Sequence, residues 1–303
     1  MRIFAIMSGV GVLFSITILS LYRTEVAYAT SSPTVVSVVI ATTANGQTDG
    51  FPGGSIDLIA GATRTVYVNG VVEDLDGKAT ISSVTGKLHR SGVQDGNNCT
   101  ADTTNCYVVG NCALGDNEDP NQKTFSCQIN LSNIAQSTVS GGQFPNENWV
   151  AYVSVTDGET SGSNNATTKE MQSLLSLTIP SAIAFGSRGL GDQSTAGNNV
   201  EMVITQRGNV EADVEVSMTA TGMSCVSGSI PRGNVKWALT DVDYANVANT
   251  VLTGTAVDTN LYVGYGTQAS PTPTKTLYWN IAIPIEGVGG YCSSAVNVSA
   301  IAH

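Results

Sequence analysis

Residues 210–220 read VEADVEVSMTA, and this stretch decides how the chain folds. Three acids, Glu211, Asp213 and Glu215, stand at alternate positions within it. The remaining alternate positions are small or apolar, namely Val210, Ala212, Val214, Val216, Met218 and Ala220. Successive side chains of a β-strand point to opposite faces of a sheet. The alternation therefore predicts a strand with a buried apolar face along its whole length and a second face in water.

The three acids could instead form a metal or catalytic site. Side chains on one face of a strand lie ~6.6–6.8 Å apart along the chain, so three carboxylates converge poorly on one ion without ligands from elsewhere. We therefore predict that the acids are solvated. An exposed line of charge also discourages edge-to-edge pairing between sheets.

Similar strand patterns recur along most of the chain. Short runs rich in Val, Ile, Thr and Tyr, such as WVAYVSVTD at 149–157, are separated by Gly, Asn and Asp. No stretch has a helical period long enough to connect parallel strands. We predict an all-β chain with two tandem immunoglobulin-like antiparallel β-sandwich domains after an N-terminal signal or anchor segment. The domains cover 33–178 and 180–303, with the boundary near 176–180.

The N-terminal segment, residues 1–29, has the pattern of an export signal. Arg2 precedes an uncharged apolar run over 3–22, and Ala27 and Ala29 match the small-residue pattern of a cleavage site. The run also approaches the ~20 residues that span a bilayer. We predict an exported protein, extracellular or at the cell surface. Residues 1–29 are either a cleaved signal peptide or a retained membrane anchor.

The net charge of the chain limits its partners. At −11 it repels phosphate backbones and anionic membrane faces. We expect no nucleic acid partner, and contact with a membrane only through the N-terminal segment if that segment is uncleaved. A protein or a glycan at the cell surface is the expected partner.

All six cysteines follow the predicted signal, as expected in an oxidising compartment. Cys99, Cys106, Cys112 and Cys127 form one cluster, and Cys225 and Cys292 lie in the later half. The cluster lacks the C-x₂₋₄-C spacing of zinc sites. Four cysteines allow three pairings, of which sequence proximity favours Cys99 with Cys106 and Cys112 with Cys127. We expect the segment 91–127 to be a disulfide-pinned loop.

Three aromatic residues are candidates for stacking on a sugar, namely Trp149, Trp237 and Tyr265. The alternative is that they are core residues. In WVAYVSVTD the positions that alternate with Trp149 are all apolar, which favours the core for that residue.

Two acidic turns are candidates for calcium. One contains Asp116, Glu118 and Asp119, and the other is EDLDGK at 73–78. Neither has the ligand order of an EF-hand loop. We expect solvated turns and no cofactor, with calcium as a weaker alternative.

No motif of a nucleophilic, zinc-dependent or nucleotide-dependent enzyme occurs in the sequence. The only histidines are His89, beside basic residues, and His303 at the last position, where chains usually fray. A pair of glycosidase carboxylates drawn from distant positions stays open. We predict that the protein is not an enzyme, with a secreted hydrolase as an unfavoured alternative.

Two pairs of segments carry a resemblance to known proteins. ITQRGNVEADVEVSMTATGM at 204–223, with SPTPTKTLYWNIAIPIEGVGGYCSSAVNVSA at 270–300, resembles the repeated C-terminal immunoglobulin-like module of prokaryotic cell-surface proteins. NNCTADTTNCYVVGNC at 97–112, with NENWVAYVSVTD at 146–157, looks like the first domain of exported proteins from small-genome candidate bacteria. The resemblance implies a two-domain exported surface protein, and no catalytic residues come with it.

The residues and the resemblance lead to one expected function. We expect an exported structural, adhesive or assembly protein of the cell envelope, acting as a non-catalytic scaffold that presents loops and strand edges to a partner. The alternative is a carbohydrate-binding module that uses one of the three candidate aromatic residues.

Overall fold

The computed structural model describes residues 31–51 and 54–303. The predicted signal or anchor, 1–29, lies outside these residues. Residues 31–303 form one compact unit. The predicted all-β class is confirmed: the strands form antiparallel sheets, apart from one parallel pair. Two three-residue 3-10 turns, Gly96–Asn98 and Arg232–Asn234, are the only helical elements in the described part of the chain.

The first part of the compact unit is called here the N-terminal sandwich. Its strands are β1 (Thr34–Ala41), β2 (Ser55–Ile56), β3 (Arg64–Glu73), β4 (Ser83–Arg90), β5 (Cys106–Val109), β6 (Ala113–Asp116), β7 (Gln122–Leu131), β8 (Trp149–Thr156) and β9 (Ser161–Met171). One sheet has the order β1-β3-β7-β6 and the other β2-β9-β8-β4-β5. The longest ladder runs from the Arg64–Leu131 pair to the Glu73–Gln122 pair of β3 and β7.

Strand β8 shows why these residues form a sandwich. Trp149, Ala151, Val153 and Val155 are at most 1% exposed, while the residues between them are half-buried. The two-residue period therefore places one face of β8 in the core that the two sheets share. Apolar burial of this kind stabilises by ~25 cal/mol per Å² of area removed from water.

The later part of the compact unit is called here the C-terminal sandwich. Its strands are β10 (Leu177–Thr178), β11 (Val200–Gln206), β12 (Ala212–Ser217), β13 (Gly222–Ser227), β14 (Ser229–Pro231), β15 (Val235–Ala238), β16 (Thr250–Val251), β17 (Val257–Asp258), β18 (Thr274–Ile281), β19 (Gly289–Ser293) and β20 (Asn297–Ala302). One layer is the sheet β10-β11-β18-β15-β16. The other consists of the sheets β17-β12-β20 and β14-β13-β19.

The C-terminal sandwich has its own apolar core, separate from that of the N-terminal sandwich. Trp279 of β18 is fully buried in it, and Trp237 of the neighbouring strand β15 is directly opposite. The two cores lie within one compact unit. The boundary near 176–180 therefore stays a prediction that each sandwich folds on its own.

The buried face of VEADVEVSMTA is shorter than predicted. Val214 and Val216 are at most 1% exposed, but Val210 is half-buried and Ala220 is exposed. The strand ends at Ser217, and Arg232 then donates hydrogen bonds from Nη1 to the carbonyl oxygens of Met218 and Ala220, at 3.0 and 3.2 Å. The chain thus leaves the sheet before the apolar pattern ends, and Arg232 hydrogen-bonds it outside the sheet.

The prediction of a loop over 91–127 is wrong in its extent. Strand β5 pairs with β4 in one sheet, and β6 pairs with β7 in the other. The segment thus crosses from one layer to the other and adds an edge strand to each. Both edge strands are only four residues long, which is why no periodic pattern revealed them.

No helix among the described residues is long and apolar enough to cross a membrane.

Candidate functional site

The acidic row of β12 lies on the outer face of its sheet, beside β20. Glu211 accepts a hydrogen bond from the hydroxyl of Tyr262, and Asp213 Oδ2 lies 2.8 Å from His303 Nδ1. Glu215 Oε2 accepts a hydrogen bond of 3.4 Å from the Ser299 hydroxyl. Each acid has a different partner, and the three do not meet in a shared hollow. Among the described residues there is no group of three or more His, Cys, Asp or Glu side chains placed to hold a metal.

His303, at the last position, contacts two side chains. Its ring meets that of Tyr262 edge-on at a centroid distance of 4.8 Å, next to the Asp213 contact. The hydrogen bond to Asp213 raises the pKa of His303, and the negative charge of that carboxylate adds to the effect. The hydrogen bond to Glu211 raises the pKa of Tyr262 to about 12. These contacts tie the last residue to β12.

Two of the three candidate stacking residues are core residues, which corrects that prediction. Trp149 is 0% and Trp237 is 5% exposed, so neither offers a ring face to a sugar. The Trp149 indole donates a 2.9 Å hydrogen bond from Nε1 to the carbonyl of Gln136. Tyr265 is half-buried and stays a candidate.

The two acidic turns have partners within the protein. Asp74 is 1% exposed, and its carboxylate accepts hydrogen bonds from the hydroxyls of Thr80 at 2.6 Å and Ser31 at 3.1 Å. In the other turn, Asp119 Oδ1 accepts from the backbone N–H of Asn121 at 2.8 Å, and Asp116 is exposed. Asp74 thus acts as an internal brace of the first turn.

The six cysteines form three disulfides. They join Cys99 with Cys106, Cys112 with Cys127, and Cys225 with Cys292. The Cys112–Cys127 bond lies in the N-terminal core against Gly86 of β4, where an added Cβ would be 2.6 Å from a sulfur. This bond fastens the chain where it crosses between the two layers. The Cys225–Cys292 bond joins β13 to β19.

Asn209 connects the two sandwiches, and sequence reasoning assigned it no role. It is 1% exposed, and its Nδ2 donates to the carbonyl oxygens of Ala135 at 2.7 Å and Gln172 at 2.9 Å. Its Oδ1 accepts from the backbone N–H of Leu174 at 2.6 Å. All three partners precede β10. Three of the four hydrogen-bonding positions of the Asn209 amide are therefore bonded to backbone groups that precede β10.

The two residues before Asn209 strengthen this connection. Arg207 donates its backbone N–H to the Ser176 carbonyl at 2.8 Å, and its own carbonyl accepts from Gly61 N–H at 3.1 Å and Asn133 Nδ2 at 2.9 Å. At Gly208 an added Cβ would lie 1.9 Å from the Leu174 carbonyl oxygen, so only glycine allows this approach. We call residues 207–209 the junction loop. A Gly-Asn pair just before a strand was the only signal of it in the sequence.

Two cavities adjoin in the C-terminal sandwich. One has a volume of about 300 Å³ and the other about 650 Å³. Both are lined by Ala182, Ile183, Phe185 and Met223. We call the two cavities together the trough.

The sequence and the structure of the chain were compared with those of known proteins. No protein-family model and no curated protein matches the sequence. The chain is similar to a solved structure, the CsuC-CsuE chaperone-tip adhesion subunit pre-assembly complex from archaic chaperone-usher Csu pili of Acinetobacter baumannii. The identity is 13%, the TM-score is 0.35, and the match covers 81% of this chain and 96% of that chain. A likeness at this level describes neither the function nor the partners of this chain.

Proposed function

We propose that this is an exported, non-catalytic structural, adhesive or assembly protein of the cell envelope. It works as a stiff scaffold that holds its surface loops and strand edges at fixed positions for a partner protein. The observation that carries the proposal is the junction loop, where buried hydrogen bonds of Asn209 join two disulfide-bonded sandwiches. A tether between independent modules would need no such contacts.

The disulfides support the location in this proposal. All six cysteines are paired, and disulfides persist mainly in oxidising compartments outside the cytoplasm. The dispersed acids support the absence of catalysis, because each carboxylate of the β12 row already has a separate partner on the protein surface. A protein is favoured over a glycan as the partner because Trp149 and Trp237 are buried.

Surface labelling of intact producing cells, followed by cross-linking, tests this function. A membrane-impermeant biotin reagent is expected to label the protein, and an amine cross-linker to convert it into a discrete adduct with another envelope protein. Recovery of only unlabelled, intracellular protein would contradict the proposal.

An assay of the purified protein on glycans tests the alternatives. Saturable hydrolysis that is lost in Glu211→Gln or Asp213→Asn would establish an enzyme instead of a scaffold. Glycan binding that is lost in Tyr265→Ala but kept in Tyr291→Ala would favour the carbohydrate-binding alternative, since Tyr291 is an exposed control at 78%.

A further inference from the structure

The segment 179–188, IPSAIAFGSR, lies against the C-terminal sandwich without joining a sheet. Ile183 and Phe185 are half-buried and pack on the core, while Ala182 and Ala184, which precede them in turn, are exposed. Within the described residues, the backbone of this segment forms no hydrogen bond with another backbone group. Its side chains therefore alternate as in a strand, but its backbone is not held as in a strand.

This segment fills the trough only in part. One cavity lies between it and β20, with Val298 in the lining, and the other lies towards β19, with Cys292 in the lining. Volumes of about 300 and 650 Å³ are in the range of ligand sites in proteins. Among the described residues that line the trough only Arg188 is charged, and its guanidinium already donates to the carbonyl oxygens of Phe185 and Asn198. The trough thus suits an uncharged occupant.

One residue that lines the trough carries a buried donor without a partner. Trp279 lines the smaller cavity and is 0% exposed, and its indole Nε1 has no hydrogen-bond partner. Leaving a buried N–H unpaired is unfavourable, so an occupant that brings an acceptor next to it would be stabilised. A backbone carbonyl is such an acceptor. The expected occupant therefore has uncharged side chains and regularly spaced backbone carbonyl groups.

The strand that borders the trough has an open edge. In β12, the Val214 carbonyl accepts a hydrogen bond of 2.8 Å from Thr259 N–H, on the side away from β20. Its partner in the register, Ala300 of β20, consequently directs its own backbone N–H and C=O away from β12. The same holds for Val298, two residues earlier. Within the described residues no strand pairs with this edge.

Exposed apolar side chains surround the outer end of the trough. Leu190 is 57%, Ile285 is 80% and Tyr291 is 78% exposed, and Leu190 and Tyr291 line the larger cavity. Clustered exposed apolar residues of this kind mark surfaces that another molecule covers.

We propose that the trough is a binding site for a β-strand of a partner protein. The strand is extended and uncharged, with large aliphatic or aromatic residues at alternate positions. It displaces 179–188, hydrogen-bonds along the open edge at Val298 and Ala300, and fills both cavities. Once 179–188 is displaced, the remaining lining residues are uncharged, and this lining selects against acidic or basic strands. This inference rests on the proposed scaffold function, because it names the kind of partner that the scaffold holds.

A peptide-binding experiment tests the site on the purified protein. The probe is a blocked, fluorophore-labelled peptide with the uncharged sequence of residues 177–187, whose parent segment already lies in the trough. Fluorescence anisotropy is expected to show saturable binding. A peptide of the same composition, with the counterparts of Ile183 and Phe185 moved to adjacent positions, is expected to bind at least about tenfold more weakly because only alternate side chains share a face.

Two variants separate competition from backbone pairing. Phe185→Ser weakens the packing of the segment 179–188 in the trough. The native-sequence peptide is therefore expected to bind this variant about tenfold more tightly than it binds the wild type. Ala300→Pro removes an open-edge N–H, so binding is expected to fall about tenfold, while the control Ala300→Thr keeps the N–H and leaves it unchanged. If Ala300→Pro fails to fold, the Phe185→Ser comparison still decides the proposal.

Several results would overturn the inference. Equal binding of the two peptides, or no change in Phe185→Ser, would show that the trough does not bind strands. Binding of decanoate together with no binding of the peptide would assign the trough to acyl chains. Self-association of the protein that is lost when the peptide is added would assign it to a second copy. Absence of peptide binding with cell-surface labelling intact would refute this site and leave the proposed scaffold function standing.

Discussion

Replacing Asn209 by alanine should uncouple the two sandwiches. The change removes the hydrogen bonds that the Asn209 amide donates to the Ala135 and Gln172 carbonyls and accepts from the Leu174 N–H, and it leaves those three backbone groups unpaired in a buried junction. Leaving a buried donor or acceptor unpaired costs ~1–3 kcal/mol, so the loss of all three partners should cost at least about 3 kcal/mol. This loss falls on the connection between the sandwiches, since neither core is altered.

Urea unfolding followed by tryptophan fluorescence measures the effect. Trp149 reports on the N-terminal core, and Trp237 and Trp279 report on the C-terminal core. The wild type is expected to unfold in one transition. Asn209→Ala is expected to unfold at lower urea and in two separate steps.

A matched control distinguishes the junction from a general effect of losing an asparagine. Asn198 is exposed and donates from Nδ2 to the Thr195 hydroxyl at 3.1 Å, so Asn198→Ala should change the free energy of unfolding by less than ~0.5 kcal/mol. A loss in Asn209→Ala no larger than in Asn198→Ala, with a single transition, would refute the assigned role of Asn209.

Three further predictions concern the disulfides, the acidic row and the N-terminal core. Replacing both Cys225 and Cys292 by serine should lower the free energy of unfolding by ~4 kcal/mol, because this disulfide closes a loop with a sequence separation of 67. A denaturant midpoint equal to that of the wild type would contradict the predicted loss of stability. Asp213→Asn should lower the pKa of His303 towards its ordinary value of 6.5, as followed by NMR titration of the imidazole, and an unchanged titration would disprove the pairing. In the wild type, the contact should stabilise the fold fully below pH 6.5 and less as the pH rises through the raised pKa of His303. Gly86→Ala should lower stability by ~1–3 kcal/mol in thermal unfolding because an added Cβ would overlap a disulfide sulfur, and a neutral effect would show that the core has room there.

The sequence was most informative where a single strand determined its own pattern. The alternation in WVAYVSVTD predicted the buried face of β8, and the alternation around Val214 and Val216 predicted that of β12. These features depend on a two-residue period that is local to the chain. The same period identified Trp149 as a core residue, which is why its stacking role was the weaker alternative.

The features that depend on distant residues were not predictable in this way. Asn209 bonds with residues 35, 37 and 74 positions away, and no local period encodes such contacts. The chain just after β12 is hydrogen-bonded by Arg232, which lies two strands later. The short edge strands β5 and β6 exist because longer neighbours pair with them. Tertiary contacts therefore decided the junction, the strand ends and the trough.

The most direct test of the scaffold account is the distance between the two sandwiches in solution. Spin labels on unnatural amino acids at Leu75 and Val247, which are 70% and 101% exposed, leave both cores and all disulfides intact. Double electron-electron resonance is predicted to give one narrow distance distribution for the wild type and a broad one for Asn209→Ala. A broad distribution in the wild type would contradict the claim that the junction loop holds the two sandwiches as one stiff unit.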